Sequence, residues 1–339
     1  MIETKTFKLF SRALAAFGTF AALSFVAVPE KVSAQQAQPR KVTMALPGSS
    51  AIAWYPIFVA KDKGFFKDEG LDVTVQSIDG SGPVLQAMTA GRAEFGAAGP
   101  GPYINGAARG GKFKFFYNLY ARGLFVLVTQ EKTGIKTAEG LKGKVLGVAT
   151  ADGGEVSFAR SALGAIGLNG GTDYKILTIG EGGAAVAGFT RGDIDAYSAT
   201  FVNAAILQDK GIKTVDLTPQ GLNLFGNGLV VREDIYKSDP KLVAGFAKAI
   251  SKALEWGMQN KDEVLKISAK VNPQEGENPV FAKTLLDVVI RQFQPEQGMK
   301  LGETPEAGWK RWHDSLVASK ELQTPIADLS QIYTNEFVK

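Results

Sequence analysis

Residues 80–99, GSGPVLQAMTAGRAEFGAAG, return in looser form at 181–200 as EGGAAVAGFTRGDIDAYSAT, and the two stretches align without a gap. At an offset of 101 residues, Gly82 pairs with Gly183, Thr89 with Thr190, Gly91 with Gly192, Glu94 with Asp195 and Ala98 with Ala199. An offset of that size is one lobe long, well beyond the period of a solenoid, so the chain must build the same small unit twice.

The unit is legible around the repeat. KVTMAL (41–46) reads as a strand ending at Pro47-Gly48, AWYPIFVAKDKGFF has helical spacing, and DVTVQSI is a second strand. A helix carrying Val84, Leu85 and Met88 then ends at Gly91, a C-cap residue, before the small-residue strand AEFGAAG. This β-α-β-α-β order with short connections predicts an α/β fold of mostly parallel strands flanked by helices. The second unit follows the same plan through KVLGVAT (144–150), a helix from about Val156 to Ile166, KILTI, and the second copy of the repeat. Two β-rich segments outside the repeat, RGLFVLVTQ (122–130) and NGLVVRED (227–234), are expected to pair as crossover strands between the lobes. Beyond Asp239 the pattern is helical, with Pro240 in a first turn and Leu242, Phe246, Ile250 and Leu254 on one face; this part should pack on lobe 1 and brace the hinge.

The first 34 residues differ. Lys5, Lys8 and Arg12 precede the apolar run ALAAFGTFAALSFVAV, which is shorter than a bilayer span and ends at VSA, the pattern of a cleaved secretory signal. The expected organisation is a signal peptide over 1–34, the first part of lobe 1 over 35–125, lobe 2 over 126–225, and the hinge return with C-terminal helices over 226–339. The mature chain would hold 34 basic against 32 acidic residues, a balance that gives nucleic acid no purchase. Without cysteine it has neither disulfides nor a lipid-anchor thiol, so a monomer free in a periplasm is expected.

Ligands of open parallel sheets sit beyond the carboxyl ends of the strands. Five loops fall there: PGSSAIAWY (47–55), DGSGP (79–83), GPGPY (99–103), TADGGE (150–155) and SATFVN (198–203). They are rich in glycine and hydroxyls, which suits binding by backbone amides at helix N-termini, although the same dipeptides are ordinary turn chemistry. DGSGPV lacks the third glycine of a dinucleotide fingerprint and follows the second strand, so that reading is set aside. Trp54, Tyr55 and Tyr103 are either core aromatics or stacking faces for a planar ligand, and Asp152 and Glu155 either cap a helix or accept a ligand amine. Arg122 is the cationic candidate nearest the hinge. The single histidine, His313, lies in the helical tail, and with no cysteine there is no triad or histidine–cysteine metal site to assemble. Neither a metal nor a cofactor is expected.

VAKDKGFFKDEGLDVTV (59–75), AGRAEFGAAGP (90–100), GIKTAEGLKGKVLGV (134–148) and RGDIDAYSAT (191–200) resemble the nitrate/sulfonate/taurine class of ABC-transporter solute-binding proteins, which also includes binders of thiamine pyrimidine precursors. The likeness runs through the mature chain to LQTPIADLSQIYTNEFV. It implies a type II periplasmic-binding fold, closure of two lobes on one small molecule, and delivery to a membrane permease served by a cytoplasmic ATPase. Carried onto this sequence, the family's contact loops become Ser49 to Tyr55 (with Ser50 and Trp54), Ser81 and Gly82, Gly99 and Pro100, Asp152, Gly153 and Glu155, and Ser198 to Thr200; Tyr103 joins them as an aromatic candidate. These loops contain no Lys or Arg, which favours an uncharged, amine-bearing or aromatic ligand over a simple anion. The alternatives carried with this reading are an enzyme like the fungal thiamine-pyrimidine synthase and a soluble sensor that presents its ligand to a membrane receptor.

Overall fold

The computed structural model describes residues 38–338; the expected signal peptide and its cleavage site lie outside them. Ten strands alternate with twelve helices: β1 (Arg40–Pro47), α1 (Tyr55–Asp62), α2 (Phe65–Asp68), β2 (Leu71–Ile78), α3 (Ser81–Thr89), β3 (Phe95–Ala98), α4 (Pro100–Ala108) and β4 (Phe113–Tyr117) form the first run. β5 (Phe125–Gln130), β6 (Val145–Val148), α5 (Gly154–Gly164), β7 (Lys175–Thr178), α6 (Gly183–Arg191), β8 (Ala196–Thr200), α7 (Phe201–Asp209) and β9 (Thr214–Asp216) form the second. β10 (Gly228–Arg232) follows, then α8 (Glu233–Ser238), α9 (Pro240–Gln259), α10 (Lys261–Val271), α11 (Pro279–Phe293) and α12 (Glu306–Ala318).

The strands make two five-stranded sheets, ordered β2-β1-β3-β10-β4 and β7-β6-β8-β5-β9. Each has a parallel core of three strands and one antiparallel strand inserted beside it, β10 against β3 and β4, and β5 against β8 and β9. The repeat thus extends further than its motif: β1 to β5 correspond in order to β6 to β10, and the fifth strand of each run crosses into the other lobe.

That topology corrects one expectation. β5 and β10 do not pair with each other; they enter different sheets, each lying between two strands that satisfy its backbone groups on both sides. The crossing segments meet just before them, where Gly226 N donates to Tyr120 O at 2.7 Å and Tyr120 N to Asn227 O at 3.0 Å. A Cβ at Gly226 would lie 2.8 Å from that of Tyr120, so the close approach requires glycine.

The repeated residues hold equivalent joints. Glu94 accepts from Thr43 N at 2.7 Å and Asp195 from Val145 N at 2.8 Å, each clamping the start of its third strand to the central one. Thr89 and Thr190 both donate to the carbonyl four residues back. Gly91 and Gly192 both adopt the left-handed conformation just after their helices. In the tail, Asp239 caps α9 by accepting from Leu242 N at 3.1 Å, and Leu242, Phe246, Ile250 and Leu254 are buried, with α9 packed on α1 and α2. Each such side chain removed from water contributes about 1.5–3 kcal/mol.

Candidate functional site

The carboxyl ends of both parallel cores face one cavity of about 600 Å³. The first lobe supplies Pro47 to Ser50 after β1, then Ile52 to Trp54, and Gly80 and Ser81 at the start of α3. The second supplies Thr150, Gly154 and Glu155 at α5, Glu181 to Gly183 at α6, and Thr200 with Asn203 at α7. Tyr120, Leu124, Phe125 and Asn227 form the floor at the crossing segments, and the stretch from Asn272 to Phe281 closes one side. Four helix N-termini therefore point into one space, because each helix begins directly after a strand of a parallel unit.

Six of the sequence candidates lie in this wall: Ser49, Ser50, Trp54, Ser81, Glu155 and Thr200. Ser50 Oγ donates to Glu275 Oε1 at 2.6 Å, and Thr200 caps α7 by accepting from Asn203 N at 3.1 Å. Trp54, only 4% exposed, meets Tyr120 edge-on with centroids 5.8 Å apart.

The other eight stand elsewhere. Tyr55 packs between α1 and α9, with its hydroxyl donating to Leu254 O at 3.3 Å and its ring on Phe293. Tyr103 is buried in lobe 1, where its hydroxyl accepts from Phe115 N at 3.0 Å and donates to Ile332 O; the stacking role considered for these two rings is corrected to a core role. Their places in the helices turned both inward: Tyr55 opens α1 on the side that meets α9, and Tyr103, one turn into α4, faces the sheet at Phe115. Gly99 N donates to Ser81 Oγ at 3.0 Å, and Pro100 is buried in the first turn of α4. Ser198 is fully buried and donates to Glu155 O at 2.8 Å. Gly153 is the N-cap of α5. Gly82 and Asp152 face each other across the lobes, so close that a Cβ on Gly82 would stand 2.2 Å from Asp152 Oδ2; Asp152 sits against the first turn of α3, where a carboxylate is favoured. Arg122 turns outward and donates to Gln294 O at 3.1 Å, and His313 accepts from Ile326 N at 3.1 Å.

The wall adds groups that the sequence did not single out, chiefly Glu181, Glu275, Tyr120, Phe125 and Asn227. Glu181 had a signal: it occupies the place of Gly80 in the second copy of the repeat, a position already known to open a helix beyond a strand. Glu275 had none, because it lies in a short 3₁₀ turn with no counterpart in the repeat. Burial raises the pKa of Glu155, helped by Asp152 and opposed by its bonds to Thr150. Burial, with Glu155 and Asp79 adding repulsion, pushes Glu181 up to about 7. Burial also raises Glu275, against donation from Ser50 and Ile52. Among the described residues lining the cavity, Lys210 is the one basic side chain, 3.4 Å from Asp209.

Comparison with known proteins gives this architecture relatives. The chain is 26% identical over 324 residues to the riboflavin-binding protein RibY of Chloroflexus aurantiacus, covering 92% of this chain and 90% of that one. It is 26% identical over 293 residues to a putative aliphatic sulfonates-binding protein of Bacillus subtilis, covering 84% of each. Among solved structures, the alkanesulfonate-binding protein SsuA from Xanthomonas axonopodis pv. citri, bound to MOPS, superposes with a TM-score of 0.70 at 17% identity, over 88% of this chain and 99% of that one. The fold is that of the periplasmic binding proteins, and it reaches beyond binders: the desulfurization enzyme DSZB superposes with a TM-score of 0.56 at 17% identity, over 88% of this chain and 97% of that one. The model of the family described as NMT1/THI5 like matches residues 52–264. With more than half its length under that match, the chain belongs to the NMT1/THI5-like family.

Proposed function

We propose that the chain is the solute-capturing component of an ABC importer, working in the periplasm and handing a small organic solute to a membrane permease. The observation that carries this reading is the cavity itself, walled by loops of both lobes above a two-segment crossing at Tyr120 and Gly226–Asn227. A ligand that touches both walls favours the closed arrangement by the contacts it gains only there. The volume suits a compound of a few rings, and Trp54, Tyr120, Phe125 and Phe281 offer apolar faces to one. Relatives that bind riboflavin or sulfonates support small-molecule capture, while the carboxyl-rich wall speaks against a sulfonate here.

The test is calorimetry on protein stripped of ligand, with riboflavin, alkanesulfonates, nitrate and a dialysable small-molecule extract as additions. A cognate solute at a hundred times its Kd stabilises the native state by about 2.7 kcal/mol, enough to raise the midpoint measurably. The solute should be recovered unchanged, which separates capture from turnover. If the whole extract leaves the midpoint where it was, the reading fails.

A further inference from the structure

We infer that the cavity selects a positively charged, N–H-bearing organic solute, held by Glu155 and Glu181 of the second lobe with Asn227 at the crossing, and that this charge is what permits the lobes to close. The inference rests on the solute-capture reading and gives it a chemical class.

The wall's acids divide by what already holds them. Glu275 is engaged by Ser50 Oγ and Ile52 N, and Asp209 by Lys210 and by Asn278 Nδ2 at 2.8 Å. Glu155 and Glu181 are different. Glu155 is only 7% exposed and accepts from Thr150 N at 2.8 Å and Thr150 Oγ1 at 2.9 Å, both uncharged donors. The charged groups acting on Glu181 are Glu155 and, from the first lobe, Asp79. Closing the cleft therefore brings carboxylates of both lobes together, and like charges in a partly dry site disfavour closure unless a cation or a proton comes between them.

An independent observation points to the same ligand. Asn227 is 4% exposed, lines the cavity, and its Oδ1 has no hydrogen-bond partner among the described residues. Buried acceptors without partners are rare in native proteins and mark a place where a donor belongs. Glu155 and Glu181 offer carboxylate acceptors to the cavity, and Asn227 Oδ1, lodged beside Gly99 and Gly154 at its inner end, lacks a donor, so a solute that brings N–H protons suits this wall. Beside these two carboxylates an anion is repelled, in opposition to the attraction of the helix N-termini in the same wall. Trp54 and Phe125 line the same wall, where an aromatic ring adds to the binding of an organic cation.

Glu181 also makes the selection pH-dependent. It is faced by Glu155 at the start of α5, Asp79 before α3, Asn203 on α7 and Tyr197 of β8, while the Asp209–Lys210 pair lines the cavity at the far end of α7. With its pKa at about 7, it is half protonated near neutrality in the ligand-free protein. A bound cation favours the carboxylate and expels that proton. Affinity for the cation should thus be full above about pH 7 and fall toward tenfold per pH unit below it.

Three probes of one shape isolate the charge: benzamidinium, benzamide and benzoate, titrated calorimetrically into ligand-stripped protein at pH 8. Benzamidinium, which stays protonated throughout, should bind at least tenfold more tightly than benzamide, with benzoate silent. Its affinity should drop as pH falls from 7 to 5, and Glu181→Gln should abolish both the preference and the pH dependence. Benzamide or benzoate matching benzamidinium, no binding of benzamidinium, or a flat pH profile in the unaltered protein would each overturn the inference; the last needs no variant. Preferred binding of benzoate would leave solute capture standing with the wrong class, whereas only silence toward the small-molecule extract removes capture itself.

Discussion

Tyr103 and Trp54 show how two rings in similar loops come to opposite ends. Both follow glycine-rich turns, yet Trp54 stands before the first turn of α1 and faces the cavity, while Tyr103 is already one turn into α4 and faces the sheet. The Tyr103 hydroxyl ties α4 to β4, through Phe113 O at 3.3 Å and Phe115 N at 3.0 Å, and to the C-terminal stretch through Ile332 O. Tyr103→Phe should therefore cost about 1–2 kcal/mol of stability, the range for a buried hydrogen bond lost with its partners left behind. Urea unfolding measures this. Solute affinity should be unchanged, and a loss of affinity without loss of stability would return Tyr103 to the site.

At the level of elements, most of what the sequence made legible was scaffold. The residues shared by the two copies, Thr89 with Thr190, Gly91 with Gly192 and Glu94 with Asp195, cap helices and clamp strands, which is why they survive in both lobes. Strand and helix periods placed β1 to β3 and β6 to β8 well because each strand is short, apolar and bounded by turns. What the pattern did not contain was the partner of each crossover strand, since β5 and β10 are equally apolar whether they pair with each other or enter separate sheets. The site was half legible for a related reason: the loops that face the cavity follow from topology, but Glu181 is legible only as a departure from its repeat mate Gly80, and Glu275 comes from a tail without a copy. The same glycine economy governs the packing of helices between lobes. α4 meets α5 at Gly101, where a Cβ would lie 2.3 Å from that of Ser157, a contact neither backbone can escape cheaply. Gly101→Ala should destabilise the protein by about 1–3 kcal/mol through overpacking, seen as a lower urea midpoint. Gly106→Ala, on the same helix with its nearest neighbour 3.6 Å away, serves as the control and should change little.

For the molecule as a whole, the capture reading predicts an open and a closed arrangement of the lobes, and contacts made in only one of them should set affinity. The crossing at Tyr120 and Gly226–Asn227 joins adjacent stretches of the two connections and should persist in either arrangement. The bond from Asn278 Nδ2 to Asp209 Oδ1 is different in kind: it spans from the start of α11, in the helical tail, to the end of α7, in the second lobe, beside the cavity. On the capture reading it should form only when the lobes are together. Asn278 also caps α11, its Oδ1 accepting from Phe281 N at 3.1 Å, so Asn278→Ser, which keeps a capping oxygen and removes the Nδ2 donor, should leave the ligand-free midpoint in place while raising the population of the open form when solute is bound. An exposed hydrogen bond to a carboxylate contributes about 1 kcal/mol, which corresponds to roughly a fivefold weaker Kd. A bond that closes behind the solute slows its escape, so the change should fall on the release rate rather than the capture rate. Stopped-flow release measures that division, and small-angle scattering should show compaction on solute binding in the unaltered protein. An unchanged release rate, or scattering that is the same with and without saturating solute, would mean that the lobes do not close on their ligand.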